Sequence, residues 1–481
     1  MLAQLAREGA AIERLTSDSR RAAPGAAFFA WPGANGDGRR YIAQAIESGC
    51  AAVLWESEGF RWERGWAVPN APVQDLRARA GFLAHEFYGR PSESLWVCGV
   101  TGTNGKTSCS QWIAALLSGR NERTAVIGTL GAGFAPELAP IENTTPDALE
   151  MHRMLKLFKD RGAQAVAMEV SSHGLDQGRV NGVAFDCALL TNLTQDHLDY
   201  HGSMAAYAAA KSRLFDTPGL EAAVLNLDDA FGVQLAQRLG KSGVRVIGYG
   251  LSNSSADLSA EFEGDRIAIR SAWGAGRARL PHPGRFNVSN ALGVLGCLIA
   301  KGIPFGEGVQ LLERLPPVPG RMQRIAEQPG RPLVVVDYAH TPDALDKVLA
   351  ALEPAARARG GRLVAVFGAG GGRDAAKRPQ MGLAASRRAD RIVLTSDNPR
   401  GEDPLAIITA IRAGIEGSRA DCAVEPDRAK AIEAAIAAAD AADVVLIAGK
   451  GHEQTQEVAG RKLPFSDAVA AAAALDRRAT K

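Results

Sequence analysis

The segment VTGTNGKTS at residues 100–108 has the residue types of a phosphate-binding loop but not the usual spacing. A standard P-loop places its first glycine five residues ahead of the Gly-Lys-Thr/Ser end, so that backbone N–H groups wrap around phosphate oxygens. Here Val100 occupies that place, and Gly102 gives a shorter Gly-x-x-Gly-Lys-Thr loop. An apolar run precedes this loop and a helix pattern follows it, which is the context that phosphate binding requires. The segment therefore predicts nucleotide binding, against the alternative of a chance Gly-Lys-Thr in a loop.

Two further segments carry groups that suit a magnesium nucleotide. Glu169 closes an apolar run, and a buried carboxylate is costly unless a cation meets it. Magnesium held with the Thr107 hydroxyl would be such a partner, and an ordinary carboxylate at a strand end is the alternative. The segment TNLTQDHLDYHG at 191–202 is rich in Asp and His, which also suits zinc. A site that already holds phosphates favours magnesium, with a single histidine at its edge.

Three polar loops follow three successive apolar runs near the C-terminus: residues 368–378, 397–400 and 449–453. Loops at the carboxyl ends of neighbouring parallel strands converge on one edge of a sheet. Arg378 and Arg400 can grip a substrate carboxylate there, and Glu453 can hold an ammonium group. Asp337 also ends an apolar run, where an acid binding ribose or metal would be placed. By itself Lys211, on a predicted helix, is interpreted as a surface lysine.

The composition limits the class of protein. The chain has 481 residues and a formal net charge of +2, which predicts about three domains and disfavours nucleic-acid or membrane partners bound through bulk charge. Six scattered cysteines without a Cys-x-x-Cys pair are typical of reduced thiols in a cytoplasm. The charged N-terminus does not look like a signal peptide, and the longest apolar stretch, 291–300, is too short to span a bilayer.

The order of apolar runs predicts an α/β fold of three domains. Short mixed elements occupy residues 1–93, buried strands alternating with helices fill 94–320, and a second alternating block fills 321–481. Continuous apolar runs ending in a polar residue are typical of parallel sheets covered on both faces. We expect a central P-loop domain with a mainly parallel sheet and a C-terminal α/β domain.

These segments together resemble the Mur ligase family of peptidoglycan synthesis over essentially the whole chain. The motifs that carry the resemblance are Gly-Thr-Asn-Gly-Lys-Thr (102–107), Glu-Val-Ser-Ser-His (169–173), Asn-Leu-Thr-x-Asp-His-Leu-Asp-Tyr-His (192–201), Lys-Ser-x-Leu-Phe (211–215), Asp-Tyr-Ala-His-Thr-Pro (337–342) and Asp-Asn-Pro-Arg (397–400). The family uses the short phosphate loop, which accounts for the missing glycine. The resemblance implies an ATP-dependent ligase that joins an amino acid to the D-glutamate of UDP-N-acetylmuramoyl-L-alanyl-D-glutamate through an acyl phosphate. It also implies an N-terminal UDP-substrate-binding domain, a central P-loop ATPase domain with a mainly parallel sheet, and a Rossmann-like C-terminal domain.

The resemblance also implies roles for individual residues. The catalytic residues would be Lys106, Glu169, His197 and Lys211. Mg²⁺ would be placed by Thr107, Glu169, His197 and Lys211, the last carbamylated into an anionic ligand. ATP contacts are expected from Gly102, Thr103, Asn104, Gly105, Lys106, Thr107, Ser108, Asn290, Arg321 and Asp337. The UDP-substrate would contact Ser19 and Asn35 at its uridine end, and Asn143, Thr144, Thr145, Ser171, Gln177 and Arg179 along its muramoyl-dipeptide. The incoming amino acid would contact Arg378, Asp397, Asn398, Pro399, Arg400, Gly449 and Glu453.

The choice of amino acid has a physical basis as well. meso-2,6-Diaminopimelate carries one carboxylate more than lysine, and Arg400 offers it a bidentate partner that lysine-adding relatives lack. We therefore expect diaminopimelate as the amino acid. The absence of an obvious dimer motif favours a monomer, and the cysteine pattern favours a cytoplasmic enzyme. Two alternatives stay open: a folylpolyglutamate synthetase, which lacks a UDP-sugar domain ahead of the P-loop, and a regulatory P-loop NTPase that switches on hydrolysis.

Overall fold

A computed structural model describes residues 1–33, 36–282, 284–326 and 328–479. Its first part is a small four-stranded parallel sheet in the order β1-β2-β5-β6, flanked by helices. The elements are α1 Leu2–Arg7, β1 Arg14–Thr16, β2 Ala26–Ala30, β3 Pro32–Gly33, β4 Gly36–Asp37, α2 Ile42–Glu47, β5 Ala52–Glu56, β6 Asn70–Val73 and α3 Leu76–Phe87. Strands β2 and β5 are buried along their whole length, as expected for runs that are apolar except for Glu56 at the end of β5.

The second part is built on an eleven-stranded sheet in the order β10-β9-β8-β11-β7-β12-β13-β14-β15-β16-β17. Its strands are β7 Trp96–Thr101, β8 Thr124–Gly128, β9 Gly131–Phe134, β10 Glu137–Ala139, β11 Ala165–Glu169, β12 Cys187–Leu190, β13 Ala222–Asn226, β14 Arg245–Gly250, β15 Leu258–Glu263, β16 Arg266–Ser271 and β17 Gly274–Ala278. Its helices are α4 Lys106–Ser118, α5 Ala148–Asp160, α6 Ser172–Asp176, α7 Leu198–His201, α8 Met204–Ser212, α9 Ala230–Leu239, α10 Arg285–Ala300 and α11 Phe305–Leu312.

The third part is a six-stranded sheet in the order β18-β19-β23-β20-β21-β22, parallel except for β18. Its strands are β18 Gln323–Ile325, β19 Leu333–Asp337, β20 Leu363–Phe367, β21 Arg391–Leu394, β22 Asp421–Val424, β23 Val444–Ala448 and the hairpin β24 Thr455–Val458 with β25 Arg461–Pro464. Its helices are α12 Pro342–Ala358, α13 Lys377–Ser386, α14 Pro404–Arg412, α15 Arg428–Ala438 and α16 Asp467–Ala479.

Both large sheets have an apolar cluster on each face. In the central sheet, α4 and α10 cover one face and α5 covers the other, and the apolar clusters contain the strand residues that alternate between these faces. The parallel strands run from β8 to β15, so their carboxyl ends lie along one edge. The site is expected at that edge.

The α/β class and the parallel core are confirmed. Strands β8, β13 and β19 are buried along their whole length, as predicted for parallel strands covered on both faces. All six cysteines are free. Among the described residues, no helix combines the length and apolarity needed to cross a bilayer. The two joints between domains remain a prediction.

Candidate active site

The short glycine loop connects β7 to the first turn of α4. Gly102 and Gly105 have φ values of 143° and 90°, which an L side chain rarely adopts. A Cβ at Gly105 would lie 2.6 Å from Asn290 Oδ1, so the loop also needs glycine for close packing. Lys106 begins α4, and its Nζ donates to the Gly102 and Thr103 carbonyls at 2.8 Å each. The loop is thus curled around one ammonium group at a helix N-terminus, the arrangement that binds phosphate.

Glu169 ends β11 next to this loop and is buried. One oxygen, Oε2, accepts from the Thr107 and Thr129 hydroxyls at 3.0 Å each, and Oε1 accepts from Thr129 N at 2.7 Å. The carboxylate and the Thr107 hydroxyl form a pair of hard oxygen donors beside the phosphate loop. Oxygen donors of this kind suit Mg²⁺.

Lys211 is not a surface lysine, and the interpretation from sequence alone was wrong. It lies on the inner face of α8, is 1% exposed, and its Nζ donates to the Gly102 carbonyl at 2.9 Å. The Tyr207 ring lies 4.5 Å from the same ammonium. Burial, reinforced by the nearby Lys106 charge, holds the pKa of Lys211 well below its usual value. Its ammonium group therefore loses a proton more readily than that of an exposed lysine.

Asp196 and His197 follow β12 and lie between the central and C-terminal sheets. Asp196 Oδ2 lies 3.4 Å from His197 Nε2 and 3.7 Å from His340 Nε2, and its Oδ1 lies 3.7 Å from Lys377 Nζ. Burial alone would raise the pKa of Asp196, but the contact with the His340 side chain and the nearby Lys377 ammonium outweigh it and lower that pKa. Burial also lowers the pKa of His197 to about 3. A neutral imidazole can act as a metal ligand.

The zinc alternative finds little support. His197 and His201 have the His-x-x-x-His spacing that zinc sites use, yet His201 Nε2 pairs with Ser172 Oγ at 3.0 Å. Across the part of the chain that the structure describes, the only ligand-type cluster of three close side chains consists of Cys98, Cys187 and Cys297. These thiols are fully buried in the central apolar cluster, away from the phosphate loop.

Asn290, Arg321 and Asp337 approach the loop from its other side. Arg321 Nη2 donates to the Thr107 hydroxyl at 2.9 Å, and its guanidinium lies 4.5 Å from the Tyr338 ring centroid. Asp337 ends β19 and accepts from Met322 N and Ala339 N at 2.7 and 2.8 Å. A cavity of about 250 Å³ is enclosed by these groups together with Lys106, Glu169, His197 and Lys211.

A second cavity, of about 130 Å³, lies at the carboxyl edge of the C-terminal sheet. It shares Asp196, His197, Tyr338 and His340 with the first cavity, so the two adjoin. Of the residues expected to bind an amino acid, it is lined by Asp397, Asn398, Arg400, Gly449 and Glu453.

The geometry of this second cavity is polar and tightly bonded. Arg400, with φ of 53°, donates from Nη1 to the Gly371 carbonyl at 2.6 Å. Asn398 Nδ2 donates to Glu453 Oε2 at 2.9 Å. Two of the expected residues, Arg378 and Pro399, do not line the cavity. The Arg378 guanidinium instead forms an ion pair with Glu402 at 2.9 Å.

The residues expected to hold the UDP-substrate are only partly brought together. Thr144 and Ser171 line the first cavity, and Thr145 Oγ1 contacts Ser171 Oγ at 3.1 Å. Arg179 donates to the Thr145 carbonyl at 2.8 Å and to Gln177 Oε1. Asn143 is exposed, and Ser19 bonds Gln44 in the N-terminal part at 3.1 Å, away from both cavities. Asn35 lies outside the described residues.

Several residues of the site were not found from the sequence. Thr129 follows β8 and bonds Glu169, Tyr207 packs on Lys211, and Lys377 is buried beside Asp196. Thr129 had a weak signal, because it directly follows a buried strand on the same edge. Lys377 lies in the polar loop 368–378 but was not singled out there, and Tyr207 had no signal, since only the fold brings it to the joint.

Comparison with known proteins agrees with this geometry. Three family models match consecutive parts of the chain: the Mur ligase family catalytic domain at 11–88, the Mur ligase middle domain at 100–298, and the Mur ligase glutamate ligase domain at 320–451. A solved structure of a UDP-N-acetylmuramoyl-L-alanyl-D-glutamate–2,6-diaminopimelate ligase matches with a TM-score of 0.67 and 37% identity, covering 97% of this chain and 95% of the other. A MurF ligase from Thermotoga maritima, solved with ADP, shares the fold at 18% identity and a TM-score of 0.66 over 98% of both chains.

Curated relatives are more similar still. UDP-N-acetylmuramoyl-L-alanyl-D-glutamate–2,6-diaminopimelate ligases from Ralstonia nicotianae and Chromobacterium violaceum are 51% and 50% identical. The matches cover 94% and 95% of this chain, and 91% and 93% of the relatives. Identity at this level over nearly the full length of the compared chains excludes a chance similarity. The chain belongs to the Mur ligase family.

Proposed function

We propose that this protein is an ATP-dependent ligase that adds meso-2,6-diaminopimelate to the D-glutamate of UDP-N-acetylmuramoyl-L-alanyl-D-glutamate, in peptidoglycan precursor synthesis. The observation that carries the proposal is the pair of adjoining cavities. One has the groups for a magnesium nucleotide, and the other combines an arginine, an asparagine and a glutamate suited to an amino acid. The names of the curated relatives support the same substrates.

The first half-reaction belongs to the larger cavity. A carboxylate oxygen of D-glutamate attacks the γ-phosphorus of ATP, the bond to ADP breaks, and an acyl phosphate forms. Lys106 and the loop amides bind the phosphate oxygens and neutralise charge on the transferring group. Arg321, which already contacts Thr107, brings a second positive charge to the same oxygens.

Mg²⁺ fits the oxygen donors of Thr107 and Glu169, with His197 as a neutral nitrogen donor on the same cavity wall. Held there, the ion would supply positive charge that offsets the charge of the phosphates. The hydroxyl of Thr107 serves both groups, because it donates to Glu169 and accepts from Arg321. Thr129 keeps the Glu169 carboxylate turned toward the loop through two hydrogen bonds.

Lys211 suits carbamylation. Its depressed pKa leaves a lone pair on Nζ, which can attack CO₂ to form an N–C bond with release of one proton. The product is an anion close to Lys106, so the two groups attract each other, and it adds an oxygen donor. The Tyr207 ring packs on the Lys211 side chain. A hydrogen bond of 3.2 Å between the Tyr207 and Thr103 hydroxyls holds that ring in place.

The second half-reaction belongs to the smaller cavity. The neutral amine of diaminopimelate attacks the acyl carbonyl carbon, the bond to phosphate breaks, and an amide remains. Arg400, Asn398, Asp397 and Glu453 bind the distal part of the amino acid so that its reacting amine faces the joint. Ser171, Thr144 and Arg179 are proposed to hold the dipeptide end of the UDP-substrate opposite it.

We also propose a monomer in the cytoplasm, and the six free cysteines support that location. We propose domain joints near residues 93 and 320. A regulatory NTPase has little use for the second, charged cavity. A folylpolyglutamate synthase shares the fold at 18% identity, which carries no argument about substrates.

The test is phosphate release by the purified protein with ATP, Mg²⁺ and UDP-N-acetylmuramoyl-L-alanyl-D-glutamate, comparing meso-diaminopimelate with L-lysine. We expect release that requires the UDP-substrate and strongly prefers diaminopimelate, with the product mass raised by one diaminopimelate residue. Preference for lysine would refute the amino-acid assignment. Release independent of both substrates would refute the ligase and favour an NTPase.

A further inference from the structure

Lys450 is a buried cation beneath the amino-acid cavity. It follows Gly449 at the end of β23 and is 0% exposed. Its Nζ donates to Asn398 Oδ1 at 3.0 Å and to Glu453 Oε2 at 2.6 Å. Lys450 is absent from the cavity lining, so it reaches a ligand only through these two partners.

The two partners belong to different loops of the cavity. Asn398 comes from the loop after β21, and its Oδ1 also accepts from Glu457 N at 2.9 Å. Its Nδ2 donates to Glu453 Oε2 at 2.9 Å, so this oxygen receives both Lys450 and Asn398. Neither contact uses Oε1 of Glu453, whose side chain is 29% exposed and lines the cavity. Oε2 of Glu453 is thereby fixed, and Oε1 is left to bind a ligand in the cavity.

Burying the Lys450 ammonium costs desolvation free energy, and an ion pair with Glu453 offsets little more than that cost. The contact is therefore better explained by the geometry that it imposes than by a gain in stability. From this we infer that Lys450 is a positioning residue: it orients Glu453 and Asn398 to receive the distal ammonium group of the incoming amino acid. The inference rests on the proposed function and deepens it. Lys450 acts through Glu453 and does not touch the substrate.

This role separates affinity from selectivity. Diaminopimelate and lysine both carry a distal ammonium group, whereas only diaminopimelate carries the second carboxylate. Lys450, acting on the ammonium contact, governs the binding of both amino acids. Arg400, acting on the carboxylate, governs the choice between them.

The test is steady-state kinetics of Lys450→Met, which keeps the volume of the side chain and removes both hydrogen bonds. We expect the KM for diaminopimelate to rise about 10- to 100-fold, the range of a lost hydrogen bond to a charged group, with kcat and the KM values for ATP and UDP-substrate within about threefold. Arg362→Met is the matched control, because it removes a cation from the buried Asp443 at the opposite end of the same sheet. It should leave the KM for diaminopimelate unchanged.

A double-mutant cycle gives the decisive readout. In a Glu453→Gln background, Lys450→Met should raise the KM by less than about threefold, because its target is already altered. Equal effects in both backgrounds, or a general rise of all three KM values, would overturn the inference. If Lys450→Met does not fold, Lys450→Gln, which keeps one donor, should show an intermediate KM, and a wild-type KM for it would overturn the inference too. A wild-type protein that does not turn over diaminopimelate would instead refute the proposed function.

Discussion

Replacing Arg400 by methionine should change the choice between diaminopimelate and lysine. The guanidinium lines the amino-acid cavity, and one of its nitrogens, Nη1, is already bonded to the Gly371 carbonyl. A second carboxylate on the substrate would bind the remaining donors. A charge-assisted pair of this kind is worth about 1.5–3 kcal/mol, which corresponds to roughly 10- to 150-fold in kcat/KM.

Two features place the expected effect in the lower part of that range. The Arg400 side chain is 31% exposed, so solvent weakens the attraction, and its Nε lies 3.5 Å from Glu457 Oε2, which competes for the guanidinium. We expect Arg400→Met to lower kcat/KM for diaminopimelate by about 10- to 30-fold and to leave the value for lysine within about twofold.

The assay is phosphate release with each amino acid at several concentrations, and the quantity of interest is the ratio of the two kcat/KM values. Arg373→Met is the control, because it removes another cation from the lining of the same cavity. Arg373 pairs with Asp199, so we expect its loss to leave the ratio unchanged. Equal losses for both amino acids would refute the reasoning. Such a result would mean that Arg400 acts through its bond to Gly371 and its left-handed backbone, not through a substrate carboxylate.

Three other outcomes are expected. Lys106→Met should lower kcat by about 1000-fold and leave the affinity for the UDP-substrate, measured by calorimetry, within about twofold. Lys211→Ala should lose about 100-fold in phosphate release and regain part of it with added formate, whereas the wild type should lose activity in CO₂-depleted buffer; no rescue and no CO₂ dependence would contradict carbamylation. Burial lowers the pKa of His152 to about 4, so the unfolded chain binds the extra proton between about pH 6.5 and 4. Stability should therefore fall as pH drops through this window, by an amount on the order of 3 kcal/mol, and urea denaturation of His152→Gln should show a shallower decline.

The fold was largely predictable because buried parallel strands are short continuous apolar runs. Runs such as 165–169 and 444–448 need little context, since both faces of each strand are covered. The antiparallel extension β15–β17 was not predicted. Its strands alternate between buried and exposed residues and carry charges, so their pattern is weaker than that of the core strands.

The site was predictable where chemistry and strand ends coincide, as at Glu169 and Asp337. It was not predictable where a charge is buried by distant elements. Lys211 and Lys450 lie in an alanine-rich helix and a glycine-rich loop that look exposed in sequence, yet both are 1% exposed or less. Their burial comes from long-range packing, which one sequence does not encode locally. The opposite error occurs at Arg378, which the sequence predicts to bind substrate but which forms an ion pair with Glu402 outside the cavity.

The contacts that join the central and C-terminal parts at the site are mainly polar. Asn104 Nδ2 donates to Asp343 Oδ2 at 3.3 Å, Gln195 Nε2 donates to Asp374 Oδ2 at 3.2 Å, and Arg373 lies 3.9 Å from Asp199. Partly exposed contacts of this kind are worth at most about 1 kcal/mol each. The buried Asp196 adds contacts of 3.7 Å to His340 and to Lys377 across the same joint. We expect this polar joint to open for substrates and, when it closes, to bring groups from both sides to the same phosphates. Nucleotide binding is therefore expected to supply the free energy that assembles the second cavity against the first.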